Sequence, residues 1–303
     1  MMDLSQLVTK NLPIYKKGKV ASYIPMLAKV DPQQLGISLF DLTTNKISSA
    51  GNYNVRFAIE SISKVITLLW AIKKLGMTEV FKHVSSRQTG FAFNSILNME
   101  INKTKAPLNP FVNAGAILTT SLVANKDTFT DILNFAQEIC NDSQIYLDEE
   151  IFHSEKSTGN LDRSLAYYMK SKNMIKSNVT LSLDIYFKQC SMMITTKSLA
   201  NLGALLANDG IAPWNNHRLI SSNAATCVKS LMMTTGLYNQ SGICSRLIGV
   251  PTKSGVGGGL LSAAPRKYGI GIFSPALNKD GNSVAGLALL KDVAQELRIN
   301  IFR

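Results

Sequence analysis

Segments with strand character lie at the two ends of this 303-residue chain, and segments with helical spacing fill the middle. That order argues against alternating βαβ units. It points to an α+β fold, with an antiparallel sheet assembled from both chain ends and a helical lobe between them. Near the N-terminus, Leu35 to Asp41 is apolar and β-prone, Thr43 to Lys46 makes a turn, and Ile47 opens a second extended run. Together they read as a hairpin. Near the C-terminus, Gly255 to Ser262 and Tyr268 to Phe273 read as strands. A turn signal follows at Asn278–Lys279–Asp280–Gly281, then a strand over Val284 to Leu287 and a closing helix over Leu289 to Leu297.

The middle is helical by periodicity. Ile62, Val65, Ile66, Leu69 and Ile72 make one apolar stripe over Ser61 to Leu75, and Gly76 supplies the stop. Ala114 to Val123, Thr128 to Cys140, Asp162 to Lys172 and Ser198 to Asn208 read as further helices, and Gly18 to Leu27 as a short one. Residues 1–17, polar and broken by Pro13, read as an arm or a loose first helix. With no repeat and no low-complexity linker, residues 18–303 are expected to form a single two-lobed unit.

Composition narrows the function classes. An apolar fraction of 46% with only 17% charged residues excludes intrinsic disorder, a coiled coil and a collagen-like fibre. The net charge is +12. The lysines are scattered, however: Lys16, Lys17 and Lys19, then Lys73 and Lys74, Lys103 and Lys105, and Lys170, Lys172 and Lys176. No basic run is interleaved with aromatics, so the charge reads as a solvated surface rather than a nucleic-acid interface. The start of the chain lacks the apolar core of a signal peptide, and no apolar run reaches about 18 residues, so no membrane span is expected. Cys140, Cys190, Cys227 and Cys244 contain no C-x-x-C pair and suit free thiols in the cytoplasm. His83, His153 and His217 share no metal-ligand spacing.

Two short motifs could carry chemistry. Ser61-Ile62-Ser63-Lys64 is the only S-x-x-K in the chain. On a helix, positions i and i+3 share a face, so the Lys64 amine can reach the Ser61 hydroxyl. A serine hydroxyl needs such a base, and a lysine can serve once an apolar pocket lowers its affinity for a proton. The bland alternative is an N-capping serine with an exposed lysine one turn on. Lys253-Ser254-Gly255, followed by Val256-Gly257-Gly258-Gly259, is the only K-[ST]-G. In serine acyl-transfer enzymes of the penicillin-recognising type such a strand faces an S-x-x-K helix across a cleft. There the lysine adds positive potential, and backbone beyond the glycine can donate to an oxyanion. Its alternative is a glycine-rich edge strand. Tyr186 and Tyr238 offer phenols for proton relay or substrate binding, Asn113 could hold a polar group and Glu155 an ammonium. Each could equally be an ordinary packing or surface residue.

Taken together, the chain resembles the serine-dependent glutaminase family, which has a β-lactamase/DD-peptidase-type fold. The blocks carrying the resemblance are GKVASYIPMLAKVDP, FAIESISKV, NPFVNAGAI, SEKSTG, AYYMK, DIYFKQCSM, TTGLYNQSG, KSGVGGG and GIFSPALNKDGNSV. The resemblance implies that Ser61 is the nucleophile, Lys64 its base and Tyr186 a proton relay beside them. It implies that Tyr23, Asn113, Glu155, Asp162, Tyr238 and Val256 contact the substrate, with Glu155 on the α-amino group. Backbone N–H groups of Ser61 and Val256 would form the oxyanion hole. The expected reaction is hydrolysis of L-glutamine to L-glutamate and ammonia, without metal or organic cofactor, by a homodimer or homotetramer. Two positions depart from the family pattern. Glu60 stands where glutamine usually precedes the nucleophile, and Gly159-Asn160-Leu161-Asp162 replaces G-D-R-N. Both departures exchange a neutral amide for a carboxyl group, which leaves two further readings: a serine amidohydrolase with another substrate, and a silent amino-acid-binding protein.

Overall fold

Both ends of the chain meet in one antiparallel sheet. The computed structural model describes residues 2–101 and 106–303, so Lys103 and Lys105 lie outside the described residues. The elements run α1 (Leu4–Asn11), β1 (Gly36–Asp41), β2 (Lys46–Gly51), β3 (Phe57–Ala58), α2 (Ser63–Leu75), α3 (Met77–His83), α4 (Leu97–Ile101), α5 (Asn113–Val123), α6 (Thr128–Ile139) and β4 (Tyr146–Leu147). They continue α7 (Glu149–Thr158), α8 (Asn160–Ser171), α9 (Val179–Cys190), β5 (Met192–Ile194), α10 (Thr196–Ala207), α11 (Ser222–Thr235) and α12 (Ser241–Leu247). The chain closes with β6 (Thr252–Ser254), β7 (Gly259–Ala264), β8 (Tyr268–Phe273) and α13 (Val284–Glu296). The main sheet has the order β2-β1-β8-β7-β6, and a small second sheet has the order β3-β5-β4.

Helices cover both faces of the main sheet, which explains why β1, β7 and β8 are apolar almost throughout. Ile37 and Leu39 join Leu260, Ile270 and Ile272 against α1 and α13. Alternate residues point the other way, and Phe40 packs on Ala200 and Ala204 of α10. This is the two-sided alternation of a strand with both faces buried. On the helical side, α2 runs through the core, with Val65, Ile66, Leu68, Leu69 and Ala71 at most 1% exposed. Gly76 caps it at φ 82°, a left-handed backbone that favours glycine.

Four expectations are corrected. Of the two readings for residues 1–17, the helix holds and the arm does not, nor is the helix loose: α1 and a 3-10 turn dock on the sheet through Leu4, Leu7 and Val8. Asp3 caps α1, and both Lys10 and Asn11 hold Asp292 on α13. Gly18 to Leu27 is not a helix. Its start is tied down by a reciprocal pair of backbone hydrogen bonds between Lys19 and Leu277, and Pro25 disfavours helical backbone at Ile24. Gly255 to Ser262 is not one strand, because a tight turn at 255–258 separates β6 from β7. Val284 to Leu287 is the first turn of α13, which Ser283 caps by accepting from the Gly286 N–H. No described helix is long and apolar enough to cross a membrane.

Candidate active site

Ser61 sits in the 3-10 turn Glu60–Ile62, immediately before α2. The turn is pinned from below, since the Ile59 N–H donates to the Met192 carbonyl of β5 at 2.9 Å. Glu60 takes a left-handed backbone with φ 50°, and so does Tyr238 across the site with φ 52°. Left-handed non-glycine residues cost free energy and collect where geometry serves function. Ile62, not Ser61, occupies the N-cap of α2, and no side chain caps there. The capping alternative for Ser61 therefore fails, and its hydroxyl is left beside the Tyr238 phenol.

Lys64 is 1% exposed. A buried ammonium is costly unless partnered. Its partners are the Asn113 Oδ1 at 2.7 Å and the Phe111 carbonyl at 3.3 Å, rather than Ser61. The loop before α5 makes this possible, because Asn109 Oδ1 accepts from the Phe111 and Val112 N–H groups. Asn113 in turn donates from Nδ2 to Asp162 Oδ1 at 2.8 Å. A Lys64–Asn113–Asp162 chain thus links α2, α5 and α8. Burial lowers the proton affinity of Lys64, and the nearby Cys190, Asp162, Glu60 and Glu155 oppose the shift.

Ser61, Asn113, Glu155, Asp162, Tyr186 and Val256 line one cavity of about 260 Å³, with Tyr23 at its rim. Tyr23 is 60% exposed and stands between this cavity and an outer one of about 640 Å³, lined in part by Lys16, Lys17, Lys19 and Tyr238. Tyr238 lies 3.5 Å from the Ser254 carbonyl, and burial first of all pushes its phenol up to about 12. Tyr186 is buried on α9, and burial raises its phenol well above the ordinary value. The 255–258 turn packs against the strand and turn leading to Ser61 because its glycines have no side chains: a Cβ on Gly255 would meet the Ile59 carbonyl at 2.6 Å, and one on Gly257 the Ala58 carbonyl at 2.2 Å. Lys253 does not line the cavity. It is fully buried beneath the Tyr238 ring, 4.7 Å from its centroid, and donates to the Ser254 carbonyl at 2.6 Å. Burial, then the charge of Lys64, lowers its proton affinity well below the usual value, which runs against the positive potential expected from sequence.

Three carboxyl groups share the cavity. Burial raises Glu155 and Asp162 above the ordinary range. Burial, then the Glu155 carboxylate beside it, raises Glu60 well above that range. Sequence reading singled out Glu60 only as a departure and missed the wall residues Phe93, Asn94, Thr158 and Cys190. Phe93 also anchors Asn113, whose N–H donates to the Phe93 carbonyl at 2.8 Å. No local pattern marks that contact, because residues 85–96 are irregular loop. Among the described residues no group of His, Cys, Asp and Glu side chains could hold a metal ion.

The raised Glu60 carboxyl makes stability depend on pH. Unfolded, it ionises near about 4.3. Folded, it resists ionisation, so its contribution is intact below that value and is lost as pH rises toward the folded value. Glu60→Gln is therefore expected to melt above the parent at pH 8, with the gap closing toward pH 4. Calorimetric melts across that range check it; a pH-independent gap contradicts it.

The glutaminase family profile matches residues 18–302. Glutaminase 1 of Clostridium perfringens is 55% identical over 305 residues, covering 100% of this chain and 99% of that protein. A probable glutaminase of Bacillus subtilis superposes with a TM-score of 0.92 at 36% identity, covering 99% of this chain and 96% of that one. A Bacillus subtilis glutaminase covalently bound to 5-oxo-L-norleucine, after reaction with 6-diazo-5-oxo-L-norleucine, superposes with a TM-score of 0.88 at 34% identity. That match covers 99% of this chain and 98% of the other.

Proposed function

The chain belongs to the glutaminase family and hydrolyses the side-chain amide of L-glutamine, and we propose that it does so through an acyl-enzyme on Ser61. The observation that carries this assignment is the meeting, at one carboxyl-lined cavity, of a buried lysine and a serine hydroxyl that caps no helix and touches the Tyr238 phenol. The Lys64 amine takes the Ser61 proton as Oγ attacks the amide carbon. Its present partners, Asn113 and Phe111, hold it near that path, and catalytic hydrogen bonds often tighten only with substrate bound. Backbone N–H groups of Ser61 and Val256 receive the oxyanion; losing one such donor typically costs about 3 kcal/mol. Ammonia leaves with a proton from Lys64, passed directly or through Tyr186. The neutral Lys64 amine then takes a proton from the water that attacks the γ-glutamyl ester and passes it to Ser61 Oγ as the ester C–O bond breaks.

In this reading Glu155 takes the substrate ammonium, Tyr23 and Tyr238 close the mouth, and Asn113 positions Lys64 while reaching the substrate. Asp162 is the second carboxyl of the binding wall. Contributors span residues 23 to 256, which supports one catalytic unit over 18–303. The four cysteines are free, which supports a reducing compartment such as the cytoplasm. A homodimer or homotetramer is part of the proposal, and light scattering after size exclusion reads it directly.

The test is a reaction with 6-diazo-5-oxo-L-norleucine followed by peptide mass analysis. A single adduct on the peptide carrying Ser61, prevented by L-glutamine, supports the assignment; an adduct elsewhere removes it. Lys64→Met should reduce kcat by about 10²–10⁴-fold, the usual contribution of a positioned base. The variant should also lose the limb of the pH–rate profile that the lysine supplies. Unchanged kcat would assign the base to another group.

A further inference from the structure

We propose that Glu60 holds a proton shared with Glu155 in the empty site, and releases it when the α-ammonium group of an amino acid docks between the two carboxyl groups. The inference rests on the glutamine reading above and adds to it a proton that moves on binding.

Two geometric observations carry it. Glu60 is 3% exposed and lies in hydrogen-bond contact with Glu155, on the wall of the cavity that holds Ser61. Two ionised carboxylates are acceptors only, so a hydrogen bond between them requires a proton on one. The second observation is that the Glu60 Oε1 is buried with no hydrogen-bond partner. A buried acceptor left unpaired is unfavourable, and more so on a carboxylate than on a neutral carboxyl, so the empty site favours the protonated form of Glu60. An ammonium group brings three N–H donors. Docked in the cavity that both Glu60 and Glu155 line, it brings a positive charge that favours ionisation of both.

The other groups facing Glu60 leave this pairing in place. Lys64 from α2 spends its hydrogen bonds on Asn113 and Phe111, and Asp162 from α8 accepts from Asn113. Tyr186 and Cys190 from α9, with Tyr23 and Tyr238 at the mouth, are neutral, because each is held above its ordinary value. Lys253 comes from β6, which packs on the Glu60–Ile62 turn, and burial drives it toward the neutral amine. Burial raises both Glu60 and Glu155, and Glu60, the more deeply buried of the two, is raised further by the Glu155 charge beside it.

The step balances. The Glu60 O–H bond breaks, its electron pair stays on the carboxylate and the proton passes to water. The ammonium N–H groups replace it as donors to both carboxylates, and nothing is oxidised or reduced. Within the pH range where the free pair holds the proton and the occupied pair does not, affinity rises about tenfold per pH unit. The apparent KM for L-glutamine falls correspondingly as pH rises.

The experiment is calorimetric titration of L-glutamine into Ser61→Ala protein, in buffers of different ionisation enthalpy, with Ser61→Ala/Glu60→Gln beside it. The difference between the two isolates Glu60, since any proton taken up at Asp162 is common to both. Release approaching one proton more from Ser61→Ala than from the double variant supports the proposal; equal counts overturn it. If the double variant does not fold, infrared spectra of Ser61→Ala decide instead. A protonated-carboxyl band that disappears on saturation with L-glutamine is expected, and one that persists overturns the proposal. Turnover by the parent with equal counts removes the proton linkage alone. No turnover and no binding removes the glutamine reading with it.

Discussion

Ser61→Ala should keep the fold and the melting temperature of the parent while losing glutamine hydrolysis by about 10⁴-fold or more, equivalent to about 5.5 kcal/mol of lost transition-state stabilisation. The two halves of that expectation have separate origins. The hydroxyl does no structural work at the helix terminus, because Ile62 holds the N-cap position and α2 begins without a side-chain cap. Its neighbour is the Tyr238 phenol, which keeps the Ser254 carbonyl as a partner when the hydroxyl is gone. A substitution of this kind, away from packing and caps, usually shifts stability by about 0.5–1 kcal/mol at most. The rate has no such reserve. In the proposed mechanism, removing Oγ removes the ester intermediate, and a path in which water attacks the amide directly would retain only the proposed oxyanion donors and binding contacts. The measurement is ammonia release from L-glutamine alongside a thermal melt. Turnover within tenfold of the parent would mean that another group attacks. A collapsed melt would mean that Ser61 carries a structural contact the geometry does not show.

That separation between chemistry and framework also governs how far the sequence could be read. Both sheet halves were legible because β1, β7 and β8 announce themselves as apolar β-prone runs, and α2 because its stripe repeats at helical spacing. The same logic misled at Val284 to Leu287. A short apolar run does not distinguish a strand from the first turn of a helix, and Ser283 settles it by capping. α1 was obscured by the polar residues between Leu4, Leu7 and Val8, although their spacing is helical. α7 and α9, which carry Glu155 and Tyr186, have no clear periodic signal in the sequence, yet both residues stand in blocks that resemble a known family. Glu60 was visible only as a departure. Its contact with Glu155 joins residues 95 positions apart, and no spacing rule reaches across that distance. Nor could sequence show that Lys64 is held by Asn113, because the loop ending at Asn113 is shaped by the Asn109 side chain rather than by any periodic pattern.

The largest stability effect is expected at Gly271→Val, which should leave little or no folded protein. Gly271 lies on β8 under α10, and a Cβ built there would sit 2.0 Å from the Thr196 carbonyl oxygen and 2.7 Å from the Leu199 Cβ. The nearest atom is helix backbone, so the clash cannot be relieved by turning a side chain. α10 is built for this proximity, with Ala200 and Ala204 on the sheet side, both fully buried. Lifting the helix to admit a valine would open that packed layer, which places the cost above about 4 kcal/mol, the range of exceptional core damage. A domain is stable by only about 5–15 kcal/mol in total. Gly76→Ala supplies the contrast. Its φ of 82° with ψ 152° strains any side chain, but nothing lies within 4 Å, so the cost should stay within about 1–3 kcal/mol. Any Gly271→Val protein that does fold should also be a poor enzyme. β5 runs directly into α10, and its Met192 carbonyl holds the Ile59 N–H two residues before Ser61. A shift of α10 therefore pulls on the turn that carries Ser61, the proposed nucleophile. Soluble yield and thermal melts for both variants, with glutamine turnover on whatever folds, test the chain of reasoning. A Gly271→Val protein that melts with the parent would show that α10 can move off the sheet without cost.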